Sequence, residues 1–383
     1  MRGSVTKKGS KWYVVIDIGR DANGKRQQKW FSGYRTKREA ERGLAEKLQE
    51  IQSGVYVEPT KDTLGAFLMS WLADKQQQIR PGTYRSYRWL VEHRILPQLG
   101  SVRLADLKPA HLQAAYRAWL ESDPPLSPRS VRYAHALIHA ALDRALKWGL
   151  VARNVADAVD PPRQERHEIT VWTPEDVAAF LEANEDAEPR YFVGFVLAIY
   201  TGMRKGEILA LRWEDIDAER GVLYVRNTLV WSRGEPIFQP PKTDRSRRAV
   251  ALSDTVLAAL RRHRALQAQD RLLYGTEYQD NGLVLARPDG RPLYTRTFDD
   301  AWYRALERAP VPKIRFHDLR HTHASLLLAQ GTHPKIVSER LGHSTITLTL
   351  DTYSHLLPGL QQRAADEFDA LIRTGERGNA ANR

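Results

Sequence analysis

The chain has 383 residues, more than one ordinary domain holds, and its 42% apolar and 27% charged residues supply material for two or three soluble cores. A net charge of +12 favours a polyanionic partner, although the density over this length is modest. Cysteine is absent, which excludes disulfide scaffolds, Cys-ligated zinc, iron–sulfur sites and thiol nucleophiles.

Residues 1–60 read as a separate basic module, with 13 Lys or Arg against 7 Asp or Glu. No apolar stretch follows Met1-Arg2-Gly3-Ser4, so no secretory signal is expected and a cytoplasmic location is the default. Trp12 to Ile18 reads as a strand, Asp21 to Lys25 as a turn built on Asn23-Gly24, and Arg26 to Phe31 as the returning strand. Thr36 caps a helix over about Lys37 to Gln52, with Glu39 at capping-box spacing. Lys11, Lys25, Arg26, Lys29 and Arg35 fall on or beside this sheet, with Trp12, Trp30 or Tyr34 as candidate packing beneath them. Such a surface is either a solvated basic face over an aromatic core or a sheet that contacts nucleic acid.

Residues 61–160 read as helical. Leu64, Phe67, Leu68, Trp71 and Leu72 form one apolar stripe. Pro81 opens a second helix to about Ile95, Leu107-Lys108-Pro109 precedes a third over Ala110 to Glu121, and Ser127-Pro128 starts a fourth that ends near Trp148-Gly149. Arg80, Arg85, Arg129 and Arg132 are candidate phosphate contacts on these helices, although helical surfaces are also basic for solubility alone. Residues 161–168, polar and proline-bearing, read as a linker.

A further domain spans 169–372. Thr173-Pro174-Glu175-Asp176 is a helix start; helices are expected over Arg190 to Tyr200 and Arg204 to Trp213, and strands at Val222 to Leu229, Ile237 to Gln239 and Arg247 to Leu252, with Arg233-Gly234 as a turn. The remainder reads as mostly helical, and 373–383 as a disordered tail. By local propensity alone, Thr345 to Leu350 alternates as a strand would.

Several polar residues in this domain need a reason. Arg204 opens a helix, where a cation opposes the dipole, and Glu207 stands three residues on as a partner. His317 and Arg320 share a helix face, followed by His321 and His323; no HExxH pattern accompanies them, and Arg320 would repel a dication, so no metal is expected. Lys242, Arg245, Arg247 and Arg248 gather at a hairpin tip that is either solvated or bound to phosphate. His343 ends a helix, and Tyr353 follows it in Thr352-Tyr353-Ser354-His355.

Together, Thr201-Gly202-Met203-Arg204, Pro241-Lys242-Thr243, His317-Asp318-Leu319-Arg320, Leu341-Gly342-His343 and Thr352-Tyr353 resemble the boxes of the tyrosine recombinases, the phage-integrase family. The likeness is strong over 169–360 and weaker over 61–160, which is similar to the family's helical core-binding domain. Residues 1–60 resemble its arm-binding domain, in which a three-stranded sheet enters the major groove. The fold implied is multidomain: a small N-terminal three-stranded sheet plus helix, an all-helical core-binding domain, and a mostly helical catalytic domain with a small antiparallel sheet. The resemblance also makes residues 345–353 helical.

The same resemblance implies roles. Arg204 and Arg320 would hold the scissile phosphate, Tyr353 would attack it to form a 3′-phosphotyrosine link, and His317 would take or orient the phenolic proton. Lys242 would protonate the leaving 5′-oxygen, His343 would bond a non-bridging oxygen, and Glu207 would orient a neighbour. Neither cofactor, metal nor ATP is expected. The implied partners are double-stranded DNA at core and arm sites and a homotetramer assembled by exchange of a C-terminal amphipathic helix (Leu357 to Ile372). A host DNA-bending protein and an excision factor are accessory partners, and there is no membrane partner. Phage and conjugative-element origins are not separable. A chromosome-dimer resolvase, a type IB topoisomerase and a catalytically silent DNA-binding protein remain the alternatives.

Overall fold

The computed structural model describes residues 3–20, 26–52, 61–164, 169–232, 234–241, 246–343, 345–353, 365–366 and 368–369. The chain divides into two compact units, Met1–Arg166 and His167–Arg383. The 373–383 tail lies outside the described residues, as does most of Leu357 to Ile372, of which 365–366 and 368–369 are helical.

The first unit begins with the antiparallel sheet β1 (Gly3–Lys8), β2 (Lys11–Arg20) and β3 (Arg26–Tyr34), followed by α1 (Lys37–Gln52). β1 has no apolar alternation, and pairing along β2 makes it a strand. Val14 and Ile16 turn inward onto Ala40 of α1, with Trp12, Phe31 and Tyr34 around them. Trp30 corrects the sequence reading: it is 53% exposed and meets Tyr13 edge-on outside the core. The capping box is formed, since the Thr36 hydroxyl accepts from the Glu39 N–H and the Glu39 carboxylate from the Thr36 N–H, each at 3.2 Å.

A second core in this unit is entirely helical: α2 (Leu64–Gln76), α3 (Pro81–Leu90), α4 (Leu96–Leu99), α5 (Pro109–Leu120) and α6 (Pro128–Lys147). The whole Leu64-to-Leu72 stripe is buried. The helix expected from Pro81 to about Ile95 is present and continues to Leu99, passing through a wide turn at Val91–Ile95, where the Leu96 N–H bonds the Val91 carbonyl. Pro97 explains it: the residue has no N–H and its ring would strike the His93 carbonyl in a regular helix, so the turn widens by one residue.

The second unit contains α7 (Pro174–Asn184), α8 (Pro189–Thr201), α9 (Lys205–Leu209), strands β4 (Ile216–Asp217), β5 (Val222–Val225), β6 (Thr228–Ser232), β7 (Glu235–Gln239) and β8 (Arg248–Ala251), and then α10 (Asp254–Tyr274), α11 (Thr295–Arg308), α12 (Asp318–Ala329), α13 (Pro334–Leu341) and α14 (Ile346–Tyr353). α8 is buried from Val193 to Ile199 and meets an aromatic core of Trp172, Phe180, Phe195, Phe298, Trp302 and Phe316. It ends at Gly202, in the left-handed region at φ +64°.

Three expectations are corrected here. The helix from Arg204 stops at Leu209, because the next residues pair with another segment: the Val284 N–H bonds the Leu211 carbonyl at 2.8 Å and the Trp213 N–H the Gly282 carbonyl at 2.9 Å. The single strand over Val222 to Leu229 is two strands in two sheets, β5 between β4 and β8, and β6 with β7. The two strands expected to flank a Lys242 hairpin do not pair with each other: β7 returns along β6 through Gly234, while β8 pairs with β5, and residues 242–245 lie outside the described residues. Residues Ile346 to Leu350 enter α14, in line with the family resemblance and against the strand-like alternation of Thr345 to Leu350.

Candidate active site

Two helix ends create the site. α8 closes on Gly202 and α13 on Gly342, both left-handed, at φ +64° and +68°. Such ends leave main-chain carbonyls without helical partners and carry the negative end of the helix dipole. Two guanidiniums occupy them. Arg320, on the first turn of α12 and 4% exposed, donates from Nη1 to the Gly202 carbonyl at 2.7 Å and from Nη2 to the Leu341 carbonyl at 2.6 Å. Arg204 donates from Nη2 to the neighbouring Gly342 carbonyl at 3.4 Å. The two arginines come from segments 116 residues apart in sequence, and the Leu341-Gly342 peptide gathers both.

Arg204 precedes α9, and Glu207 resolves the conflict between a cation and the helix N-terminus. Its Oε1 accepts from Arg204 Nη1 at 2.7 Å and its Oε2 from the Arg204 main-chain N–H at 3.0 Å. The same Oε2 accepts from Arg248 Nη2 at 2.9 Å. Burial alone would raise the Glu207 carboxyl, but Arg248 and Arg204 outweigh it and hold the group below the usual carboxylate range.

His317 directly precedes α12, and its ring stands edge-on to His321 at 5.6 Å. Burial first, then the Arg320 charge, lowers the His317 pKa. His343 follows Gly342 directly, and burial with Arg320 and Arg204 pushes it down to about 3. Its Nδ1 lies 2.8 Å from the Thr349 hydroxyl of α14. With that hydroxyl donating, the neutral ring carries its proton on Nε2, the tautomer that donates to an anion. α14 ends on Tyr353. Lys242 lies outside the described residues, as do Lys25 and Arg245.

His321, pushed down to about 4 by burial and then by His317, and His323, pushed down to about 3 by burial and then by Arg340, are neutral imidazoles. His323 has a structural role with both ring nitrogens satisfied: Nδ1 bonds the Ile199 carbonyl at 2.9 Å and Nε2 accepts from Arg340 at 3.1 Å. Sequence reasoning missed Arg248, Arg340 and Thr349. Arg340 ties Tyr200 and Ala251 carbonyls to His323, and Arg248 is one of the four cations read as a solvated or phosphate-binding tip. Its side chain is instead 5% exposed and points inward at Glu207.

The candidate DNA contacts are spread over both units. Lys11 on β2, Arg35 after β3, Arg80 before α3, Arg85 on α3, Arg129 and Arg132 on α6, and Arg247 before β8 are exposed; Lys29 on β3 is half-buried, and Arg26 begins β3. Arg85 and Arg129 share a groove of about 650 Å³ with Trp89 and Tyr133. Arg132 donates to the Pro162 carbonyl at 3.2 Å. No helix among the described residues is long and apolar enough to cross a membrane.

The sequence and the fold are matched by known proteins. Residues 170–359 match the phage integrase family, 63–120 the phage integrase N-terminal SAM-like domain, and 4–51 an arm DNA-binding domain. A tyrosine recombinase XerC-like protein of Caldanaerobacter subterraneus subsp. tengcongensis is 30% identical, over 96% of this chain and 98% of its own. Among solved structures, the Tn1549 transposon integrase with a circular intermediate DNA shares the fold at a TM-score of 0.66 and 19% identity, covering 81% of this chain and 100% of that one. A lambda integrase tetramer bound to a Holliday junction shares it at 0.56 and 19%, covering 90% and 96%. The chain belongs to the tyrosine recombinase (phage integrase) family, with arm-binding and SAM-like domains before the catalytic one.

Proposed function

We propose that the protein is a site-specific DNA integrase that cuts and rejoins DNA through a 3′-phosphotyrosine intermediate, integrating or excising a mobile element. The observation that carries the reading is the meeting of Arg204 and Arg320 at the Leu341-Gly342 peptide beside His343. Two permanently charged forks so placed suit the non-bridging oxygens of a phosphate that gains negative charge as it becomes pentavalent.

In the proposed step, the Tyr353 oxygen bonds phosphorus as the bond to the 5′-oxygen breaks. The phenol, with an ordinary pKa of about 10, needs a proton acceptor, and His317, kept neutral by burial and by Arg320, takes that role. Lys242 gives the leaving oxygen its proton, and His343 donates to a non-bridging oxygen. One phosphodiester replaces another, so resealing by the reverse path needs no external energy source.

The domain plan we propose is arm binding by 1–60, core binding by 61–160, a linker over 161–168, catalysis by 169–372 and a tail at 373–383. The helical and catalytic domains would clamp the duplex, with affinity dominated by phosphate contacts and steeply dependent on salt. Double-stranded DNA and three further copies of the chain are the partners, supported by the likeness to the lambda integrase tetramer on its junction, and helix exchange through Leu357 to Ile372 would link the copies. The place of action is the cytoplasm of a bacterial host.

A duplex carrying the direct repeat found at the ends of the inserted element, nicked so that the cut strand diffuses away, tests this. Wild-type protein is expected to give a covalent adduct, and Tyr353→Phe none while still shifting the DNA in a gel. An adduct that persists in the variant eliminates Tyr353 as the nucleophile.

A further inference from the structure

Arg248 has no part in the chemistry above, yet it is the more buried of the two guanidiniums that share the Glu207 carboxylate: its side chain is 5% exposed against 37% for Arg204, and that of Glu207 is 3% exposed. Glu207 therefore lies between an outer cation open to an arriving phosphate and an inner one closed to it. The carboxylate is divided between them, Oε1 to Arg204 Nη1 and Oε2 to Arg248 Nη2 and the Arg204 N–H. Arg248 is held by Nε on the Arg340 carbonyl at 2.6 Å and by Nη1 on the Ser246 carbonyl at 3.2 Å. It also fills the space beside Gly342, where a Cβ would come within 3.1 Å of Nη1.

We infer that Arg248 is a positioning residue that neutralises Glu207 from within, so that Arg204 keeps its full positive charge for the scissile phosphate; the inference rests on the recombinase reading above. A lone Arg204–Glu207 pair is electrically neutral and attracts an incoming anion weakly. With Arg248 the group of three carries one net positive charge, and the carboxylate can orient Arg204 without cancelling it. A carboxylate this buried cannot borrow compensation from water, so loss of Arg248 would transfer its whole demand to Arg204 and draw that side chain inward. Lys242 and Arg245 stand a few residues before Arg248 in sequence, so the residue that charges Arg204 also begins the strand reached from the Lys242 segment.

A charge cycle on the full-length protein tests this with the same nicked attachment duplex. At saturating DNA, Arg248→Met is expected to slow adduct formation by about 100-fold while gel-shift affinity changes by no more than about threefold. Arg248→Lys, which retains the charge, should stay within about tenfold of wild type. Adding Glu207→Gln to Arg248→Met removes the uncompensated carboxylate and should recover at least about tenfold of the lost rate. A purely structural role predicts the opposite sign, a double variant as slow as Arg248→Met or slower, and that result overturns the inference. If Arg248→Met does not fold, the other arm decides: Glu207→Gln with Arg248→Met should cleave at least as fast as Glu207→Gln alone, and a loss of about 100-fold between them overturns it. Wild-type protein that forms no adduct overturns the recombinase reading itself and the inference with it.

Discussion

The Arg320 guanidinium is seated on the Gly202 carbonyl at 2.7 Å, so a cation of α12 is fixed by the left-handed residue that ends α8. The arrangement requires glycine twice over. At φ +64° any side chain is strained, and a Cβ there would lie 2.5 Å from Leu341 Cδ2 and 2.8 Å from His323 Cδ2. Leu341 supplies the other carbonyl that holds Arg320, so a displacement at Gly202 reaches both anchors of the same guanidinium.

Gly202→Ala is therefore expected to cost about 2–4 kcal/mol of stability, from left-handed strain plus overpacking. In a domain of this size that lowers Tm by roughly 5–15 °C. Below the new Tm the variant should still bind DNA, and its adduct formation should fall further than its affinity. Thermal unfolding by circular dichroism with a gel-shift titration checks both; an unchanged Tm would show that the α8 end relaxes freely.

Arg204→Lys keeps the charge and loses the fork. A lysine ammonium cannot bond the Glu207 carboxylate and the Gly342 carbonyl in the planar geometry that Arg204 uses. The expected outcome is a drop of about 10²–10³ in the rate of adduct formation, the size typical of losing one preorganised donor at a developing oxyanion, with DNA affinity nearly unchanged. Single-turnover cleavage at saturating protein separates the two effects.

The buried histidines set a pH window. His323 and His343 are held down to about 3 and His321 to about 4, so each remains neutral in the folded chain where an ordinary histidine protonates. Below about pH 6.5 the unfolded chain binds more protons than the folded one. The contribution of these groups is thus complete above that pH and is lost progressively as pH falls toward the folded values. For His323, 7% exposed, the limiting slope is about 1.4 kcal/mol per pH unit. Urea unfolding between about pH 7.5 and 5.5 should show stability falling on acidification, and His323→Gln should be less stable at the upper pH yet flatter across the window. Equal slopes in both proteins would rule out His323 as a contributor.

How far the site could be read from sequence follows the kind of contact each residue makes. Arg204, His317, Arg320, His343 and Tyr353 stand in short boxes whose order is itself a signal, and Glu207 stands at helix spacing from its partner. Arg248 gave no such signal, because in Arg245-Ser246-Arg247-Arg248 it is one cation in a run and only strand pairing turns it inward while Arg247 stays exposed. Thr349 was hidden in β-branched alternation that local propensity assigns to a strand; helix formation brings its hydroxyl to His343. The carbonyls of Gly202, Leu341 and Gly342 are main-chain groups, which residue types do not reveal. The cores were easier: the Leu64-to-Leu72 stripe is buried as its spacing requires and the Pro81 helix is present, whereas the single strand over Val222 to Leu229 is divided where the chain changes sheet.

The arm module offers the last prediction. Residues 3–52 build their core from Val14, Ile16 and Ala40, while the helices from Leu64 onward have a core of their own, and the two clusters share no residue. Removing residues 1–60 should therefore leave the helical core intact, with a Tm within a few degrees of the full chain's principal transition. Because the deleted segment carries 13 Lys or Arg against 7 Asp or Glu, its loss should also reduce the slope of log affinity against log salt on long DNA. On a short duplex with the core repeat alone, affinity and adduct formation should persist. In a bridging assay with one core duplex on beads and a second labelled duplex carrying flanking DNA, the full chain should retain the label and the truncated chain should not. Equal retention by both proteins would remove the arm role from residues 1–60 and leave their charge as a solvated face.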